Sequence, residues 1–439
     1  MARTSTVFAI LFVLLPTIAL ASVTSTNVTR STDSSSPELL EKTWTVSAAS
    51  LDKLEIRVAG NVFVDYDSSL QSDDQVAAKI IMRASSSKLL EPVEATDIGG
   101  VNDNGLRLHY KNQQVHVEGL VTTEILLSKP NALRSISSTN AQNVVLADNV
   151  VLKEDKEAEL HFSTHGNGHL FVGSSGSFDV RSIGLVVSGD GGIQFQSSSV
   201  KITNELVVSL VGSGHVAVLA DSLIANKVES AVAGTGKAVV RTPGFQVETI
   251  ATEIVGNGDV TYETSGTCGD EKIRLAAEGS VNAASIVCKN ADIFILGTGE
   301  VIVQATERLS AMLLLTGSVK YVNARPKSIQ SSGIVLESSI KPAEVVSSTQ
   351  YDPLSLPNRA ATGVFLTVEP ANNNVSPYIH TRPVVAATMR LQNLSASLPE
   401  SMSALVLFEV ALVAMAFTSF SVFKFQQRRI RNKYQTLLP

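Results

Sequence analysis

Apolar and polar residues alternate along most of the chain between positions 160 and 322, and Gly-x-Gly interrupts the alternation at near-even intervals. The triplets are Gly166-Asn167-Gly168, Gly189-Asp190-Gly191, Gly212-Ser213-Gly214, Gly234-Thr235-Gly236, Gly256-Asn257-Gly258 and Gly297-Thr298-Gly299. Ala277-Glu278-Gly279 and Leu315-Thr316-Gly317 keep only the second glycine. The second glycines therefore stand at Gly168, Gly191, Gly214, Gly236, Gly258, Gly279, Gly299 and Gly317. Spacings of roughly 18–23 residues are the signature of stacked repeats. Two residues after each second glycine come Leu170, Ile193, Val216, Ala238, Val260, Val281, Val301 and Val319. Two residues before each triplet come Thr164, Val187, Leu210, Val232, Ile254, Leu275, Ile295 and Leu313. A period of two means strands with one buried face. Repeating the same inward positions coil after coil builds aliphatic ladders inside a tube. The glycines supply either a positive φ or close backbone packing at the turn between two strands.

The pattern predicts an all-β fold, a right-handed-type parallel β-helix or β-solenoid with about 20–23 residues per coil, plus one C-terminal transmembrane helix. Leu54-Glu55-Ile56-Arg57-Val58, Leu106-Arg107-Leu108-His109-Tyr110 and Val115-His116-Val117 alternate as well. Residues 44–160 thus read as earlier, less regular coils, and the solenoid ectodomain as 44–323. Residues 22–43 are Ser/Thr-rich and read as a flexible lead. Residues 324–401 lose the period and carry eight prolines from Pro326 to Pro399. They read as a Pro/Ser/Asn-rich stalk, with Val364–Val368 as one added strand.

The two ends change the picture. Arg3, the apolar run Val7–Leu15 and Ala19-Leu20-Ala21 form a secretory signal over residues 1–21. A membrane anchor would need a longer run without Pro16. Residues 402–423 include a 20-residue apolar stretch, Ala404–Phe423, with Glu409 its single charge, long enough to span a bilayer. Lys424, Arg428, Arg429, Arg431 and Lys433 follow without an acid. The positive-inside rule places this basic tail, 424–439, in the cytosol. The expectation is a single-pass type I membrane protein of the plasma membrane or an endosomal, lysosomal or vacuolar membrane, its partner the lipid bilayer through 402–423. Asn27, Asn374 and Asn393 begin glycosylation sequons. Tyr434-Gln435-Thr436-Leu437 resembles a tyrosine-based sorting signal. Tyr434 and Leu437 would seat in a clathrin-adaptor medium subunit by strand addition.

Composition then excludes whole classes. Of 439 residues 44% are hydrophobic and 17% charged, for a net −6. Removing the basic tail, the leader and the apolar stretch with Glu409 leaves about −11 on residues 22–401, so no nucleic-acid surface is expected. Two cysteines rule out a disulfide-rich scaffold. Cys268 and Cys288 lie one coil apart at nearly the same angular position, and in a secreted chain that spacing predicts a disulfide.

Candidate chemistry is sparse. His161, His165 and His169 surround the Asn167 turn, and His215 occupies the place of His169 two coils on. Zinc, copper or proton sensing would use such residues. Two coils separate His169 from His215 by about 10 Å, too far to share an ion. Surface histidines and no metal site are therefore expected. A glycan-acting β-helix enzyme needs paired carboxylates on one face. Asp259 and Glu300 share a column but Ser280 lies between them. Arg241 and Glu263 read as a cross-coil ion pair, and Asp270-Glu271-Lys272 as a polar loop. No catalytic residue and no cofactor is expected.

The string Leu54-x-Ile56-x-Val58-x-Gly60-x-Val62, followed by the repeated Gly-x-Gly-x-Val/Ile turns, resembles the auto-transporter adhesin head GIN domain family over roughly residues 48–322. The resemblance implies an extracytoplasmic β-solenoid and adhesion, and carries over no catalytic residue. The function expected is non-catalytic: adhesion, or capture of an extracellular glycan or protein ligand. A structural coat glycoprotein of an endolysosomal or vacuolar membrane is the alternative.

Overall fold

The computed structural model describes residues 22–72, 75–99, 104–333, 340–343, 350–370 and 377–383. The leader, residues 402–423, the tail with Tyr434 and Leu437, and the sequons at Asn374 and Asn393 lie outside the described residues. Among the described residues no helix is long and apolar enough to cross a membrane.

The expected coils are present and stack in parallel. Strand Gly192–Gly212 pairs with His215–Gly234 over residues 192–197, 199–202 and 205–212. The breaks between those stretches divide each coil into three faces. The second lies between the first face and the third, and the Gly-x-Gly turn returns the third to the first. One inward ladder runs Leu210, Val232, Ile254, Leu275, Ile295, Leu313, each paired with the next coil and each buried. Burial of a whole aliphatic side chain stabilises by about 1.5–3 kcal/mol, so a six-residue ladder is a major part of what holds the tube together.

The two glycines of a turn do different jobs. The first has a positive φ, +122° at Gly212 and +117° at Gly256, a region that a Cβ disfavours. The second has an ordinary φ but lies against the coil below. A Cβ on Gly236 would stand 2.6 Å from the carbonyl oxygen of Gly214. That contact is too close for any side chain.

The N-terminal part departs from simple coiling. Lys53–Arg57 and Asn61–Tyr66 do form a parallel coil with Ser135–Thr139 and Asn143–Leu146. The coil of Gly105–Tyr110 and residues 122–127 stacks on its other side, also parallel, so spatial order and chain order differ there. Leu40–Ser47 and Val76–Ala84 pair antiparallel, and Val76–Ala84 pairs antiparallel with residues 121–127. The segment read as a flexible lead is partly strand: Ser22–Ser25 and Thr29–Arg30 pair antiparallel with Leu40–Ser47.

Residues 350–370, inside the segment read as a stalk, lie on the solenoid as a strap. The strap starts at the coil of Glu263, passes Gln194 and reaches Asp65. It then becomes Thr362–Glu369, the expected added strand, antiparallel to residues 115–121. Tyr378–Pro383 pairs with that strand in turn.

Candidate functional site

The first face of each coil turns residues 61, 63 and 65 and their counterparts outward. Alternation would make these positions polar, yet the central column reads Phe63, Val145, Phe171, Gln194, Ala217. Phe63, Phe171, Gln194 and Ala217 are buried although they point away from the core. The strap covers them.

Two clamps hold it, and both grip backbone. Glu263 accepts the Tyr351 N–H at 2.7 Å, while Arg241 donates to the Tyr351 carbonyl. Three residues on, Gln194 accepts from the Leu354 N–H at 2.8 Å and donates to the Leu354 carbonyl at 3.2 Å. Arg359 closes the far end with a two-bond pair to Asp65, each bond 2.7 Å, a geometry that fixes orientation as well as charge. The expected Arg241–Glu263 ion pair is present at 2.5 Å and has a second task, because the same two side chains seat Tyr351.

His169 and His215 lie on the first face, whereas His161 and His165 lie on the third. His161 and His165 are exposed as expected. His169 and His215 are not separate: their ring centroids are 5.3 Å apart. The distance expected from two coils fails because the residue between them is Gly192. Its missing side chain lets the His215 ring lean across the intervening strand, where a Cβ on Gly192 would overlap that ring. Tyr351 of the strap lies beside His215, their ring centres 6.4 Å apart. Burial lowers the pKa of both imidazoles, and the neighbouring His169 lowers His215 further.

Asp270-Glu271-Lys272 is strand, not loop, within Gly266–Ala277. Glu271 continues the inward column of Val228 and Ile250 and is 1% exposed. Neither carboxylate oxygen has a hydrogen-bond partner, and burial pushes its pKa from 4.5 to about 8. Nearby, Tyr262 bonds Thr252 at 2.9 Å and Ser230 at 3.2 Å. Its hydroxyl is pushed up to about 12, chiefly by burial. Cys268 and Cys288 form the expected disulfide, directly paired across adjacent coils with Cα atoms 4.4 Å apart.

An open cleft of about 290 Å³ lies beyond the strap, lined by Glu263, Asn282, Ser285 and Asn323. Its one carboxylate is already held by Arg241 and the strap backbone. Asp259, Ser280 and Glu300 occupy successive positions in one column, as expected, and Asp259 accepts from Ser280 at 2.6 Å. No group of three or more His, Cys, Asp and Glu gathers as a metal site among the described residues.

The third face is bare. Beside the turns its outward column runs Val211, Ala233, Val255, Ala276, Leu296. At its C-terminal end Leu296 (44%), Met312 (42%) and Leu315 (52%) are exposed. Asn27, the described sequon residue, is exposed in the N-terminal region.

Residues 244–324 match a family model described as "Putative auto-transporter adhesin, head GIN domain". Solved structures similar to the chain include a putative adhesin from Parabacteroides distasonis, 13% identical, with a TM-score of 0.35, covering 69% of this chain and 97% of that one. Another from that organism, named as a putative lipid binding protein, is 12% identical with a TM-score of 0.32 and covers 74% and 97%. A putative adhesin from Bacteroides fragilis is 15% identical with a TM-score of 0.28 and covers 72% and 99%. No curated protein matches the chain. The resemblance expected from the glycine turns thus holds over residues 244–324, the stretch that matches the model of that family.

Proposed function

We propose that the chain is a type I membrane glycoprotein whose solenoid is a non-catalytic adhesion head, binding an extracellular protein or glycan. The bare third face is its binding surface. The observation that carries this reading is the outward apolar column Val211, Ala233, Val255, Ala276, Leu296, with Met312 of the neighbouring column and Leu315 of the turn exposed beside its end, on the coils that match the GIN-domain model. Exposed apolar side chains gathered on one flat face mark interaction surfaces, and a solenoid presents them in a line to an extended partner. Residues 402–423 anchor the head, Asn27, Asn374 and Asn393 carry glycans, and Tyr434 with Leu437 sorts the protein through an adaptor medium subunit.

A glycan and surface-protein array probed with the full chain tests the reading. Leu296→Glu with Met312→Glu should abolish the hits while leaving the circular dichroism unchanged. Undiminished binding by that double variant would sink the assignment of the face.

A second reading, a coat glycoprotein of an acidic endolysosomal or vacuolar membrane, is favoured by one observation. The unpartnered, buried Glu271 carboxyl contributes stability that is greatest in acid. Residence in such a membrane, lost on Tyr434→Ala, together with an array free of hits, selects this reading over the first.

A further inference from the structure

We propose that His169, His215 and Tyr351 form a site for one divalent transition-metal ion, Cu²⁺ ahead of Zn²⁺, which fastens the strap to the solenoid. Three neighbouring rings, with His215 between the other two, each carry a buried polar atom without a hydrogen-bond partner: His169 Nδ1, His215 Nε2 and the Tyr351 hydroxyl. Leaving such an atom unpaired costs about 1–3 kcal/mol, and each calls for an ion or water that satisfies it. A ring stack by itself explains the proximity of the three rings but satisfies none of those atoms.

The ring spacings fit a shared ion. An imidazole nitrogen lies about 2.0–2.1 Å from its metal, which places two rings at a tetrahedral angle with centres about 5.2 Å apart. The observed distance is 5.3 Å. A phenolate oxygen about 2.0 Å from the same ion would put the tyrosine ring centre about 6.5 Å from an imidazole centre. His215 and Tyr351 are 6.4 Å apart. Gly192 makes the arrangement possible, since any side chain there would displace the His215 ring.

Each cation close by is paired with a carboxylate, although the Arg241 guanidinium also lies 5.9 Å from the Tyr351 ring centre. Arg241 is held by Glu263 at 2.5 Å. Lys237, next in the His215 column, leans toward Asp259 at 3.8 Å. The tetrahedral angle suits Zn²⁺, whereas two neutral imidazoles and a phenolate, with the order of divalent affinities, favour Cu²⁺. On binding, the phenol O–H breaks, its proton goes to solvent and the oxygen's electron pair is donated to the ion, with no change of oxidation state. Ligation of a strap residue and two solenoid residues by one ion would tie residues 350–354 down in addition to the two backbone clamps.

The test is calorimetric titration of the full chain with Cu²⁺ alone and with Zn²⁺ alone. One saturable site is expected, tighter for Cu²⁺, with a rise in melting temperature as the ion is added. His169→Ala, His215→Ala and Tyr351→Phe should each weaken binding at least tenfold, whereas His161→Ala should not. The Cu²⁺ complex should show a phenolate-to-copper charge-transfer band that Tyr351→Phe removes while circular dichroism stays unchanged. No saturable site for either ion overturns the proposal and leaves the atoms to water. Full affinity in any of the three ligand variants, or a Cu²⁺ complex without that band, overturns it equally.

Discussion

In the coils between residues 160 and 322 each side chain meets its own counterpart one coil away: Val216 lies beside Ala238, and Ala238 beside Val260. At the N-terminal end the neighbours are one of a kind. Trp44 faces Ile80, and Ile80 faces Ile125, across antiparallel strands that never recur. Arg83 shows the difference best, since it gathers Glu41 at 2.9 Å, Glu124 at 2.7 Å and Asp33 at 3.9 Å from separate segments. The stack gains its stability by repetition and therefore inherits its faults by repetition: a residue wrong for one coil meets the coils on both sides. The N-terminal end depends on single contacts, and a fault there stays local.

The strongest way to break the comparison is a side chain in a turn column. Gly256→Ala combines a φ of +117° with a Cβ 2.5 Å from the carbonyl oxygen of Gly234. It should cost about 3–5 kcal/mol, the range reserved for backbone strain and overpacking together. Urea unfolding measures it. A cost below about 1 kcal/mol would mean that the turns have slack, and the claim of rigid repetition would fail.

Next comes an acid inside a ladder. The folded pKa of Glu271, about 8, lies above its ordinary 4.5, so the folded state binds the proton more tightly than the unfolded chain does. The stability this contributes is complete below about pH 4.5. It falls by about 1.4 kcal/mol per unit as pH rises, and levels off above about pH 8. Glu271→Leu should flatten that slope and raise stability at neutral pH by about 3 kcal/mol. Melting temperatures of both proteins from pH 4.5 to 8 decide it, and parallel curves would show that Glu271 is solvated after all.

Arg83→Ala is the counterpart at the N-terminal end. Removing the cation strands Glu41 and Glu124, both only partly exposed, so the cost should be about 2 kcal/mol, below that of breaking a fully buried pair. Hydrogen exchange should speed up in Leu40–Ser47 and Val76–Ala84 and leave the coils beyond residue 160 unchanged. Equal loosening along the whole molecule would erase the distinction between the two regions.

This division also explains what the sequence disclosed. Repetition is visible in a single chain, so the eight glycine turns, the ladders, the Cys268–Cys288 pair and the Arg241–Glu263 pair could be placed from spacing alone. Antiparallel pairing of Leu40–Ser47 with Val76–Ala84 has no period to betray it. The strap joins residues as far apart as Asp65 and Arg359. Its one local trace is the apolar outward column of Phe63, Val145, Phe171 and Ala217, where alternation calls for polar residues. Glu271 was hidden by its neighbours: Asp270 and Lys272 give the triplet the look of a loop, although 21 residues separate Glu271 from the inward Ile250, the same spacing as Gly258 from Gly279. The meeting of His169 with His215 depends on an absent side chain at Gly192, which a spacing rule based on backbone distances does not count.

The smallest effect probes the same column as the largest. Ala277 stands where the other turns place their first glycine and adopts φ +95°. A left-handed conformation costs an L-residue about 1–2 kcal/mol, and glycine removes that cost while giving up about 0.5–1 kcal/mol of unfolded-state entropy. Ala277→Gly should therefore stabilise the stack by about 0.5–1 kcal/mol, a glycine substitution that helps in the middle of a β-sheet, where glycine ordinarily harms. Measured beside Gly256→Ala, it separates two contributions within one column. If Ala277→Gly gains about as much as Gly256→Ala loses, φ alone sets the cost of a turn. If the loss is several times the gain, the larger share comes from the carbonyl oxygen of the coil below, and the stack is limited by how closely its backbones approach.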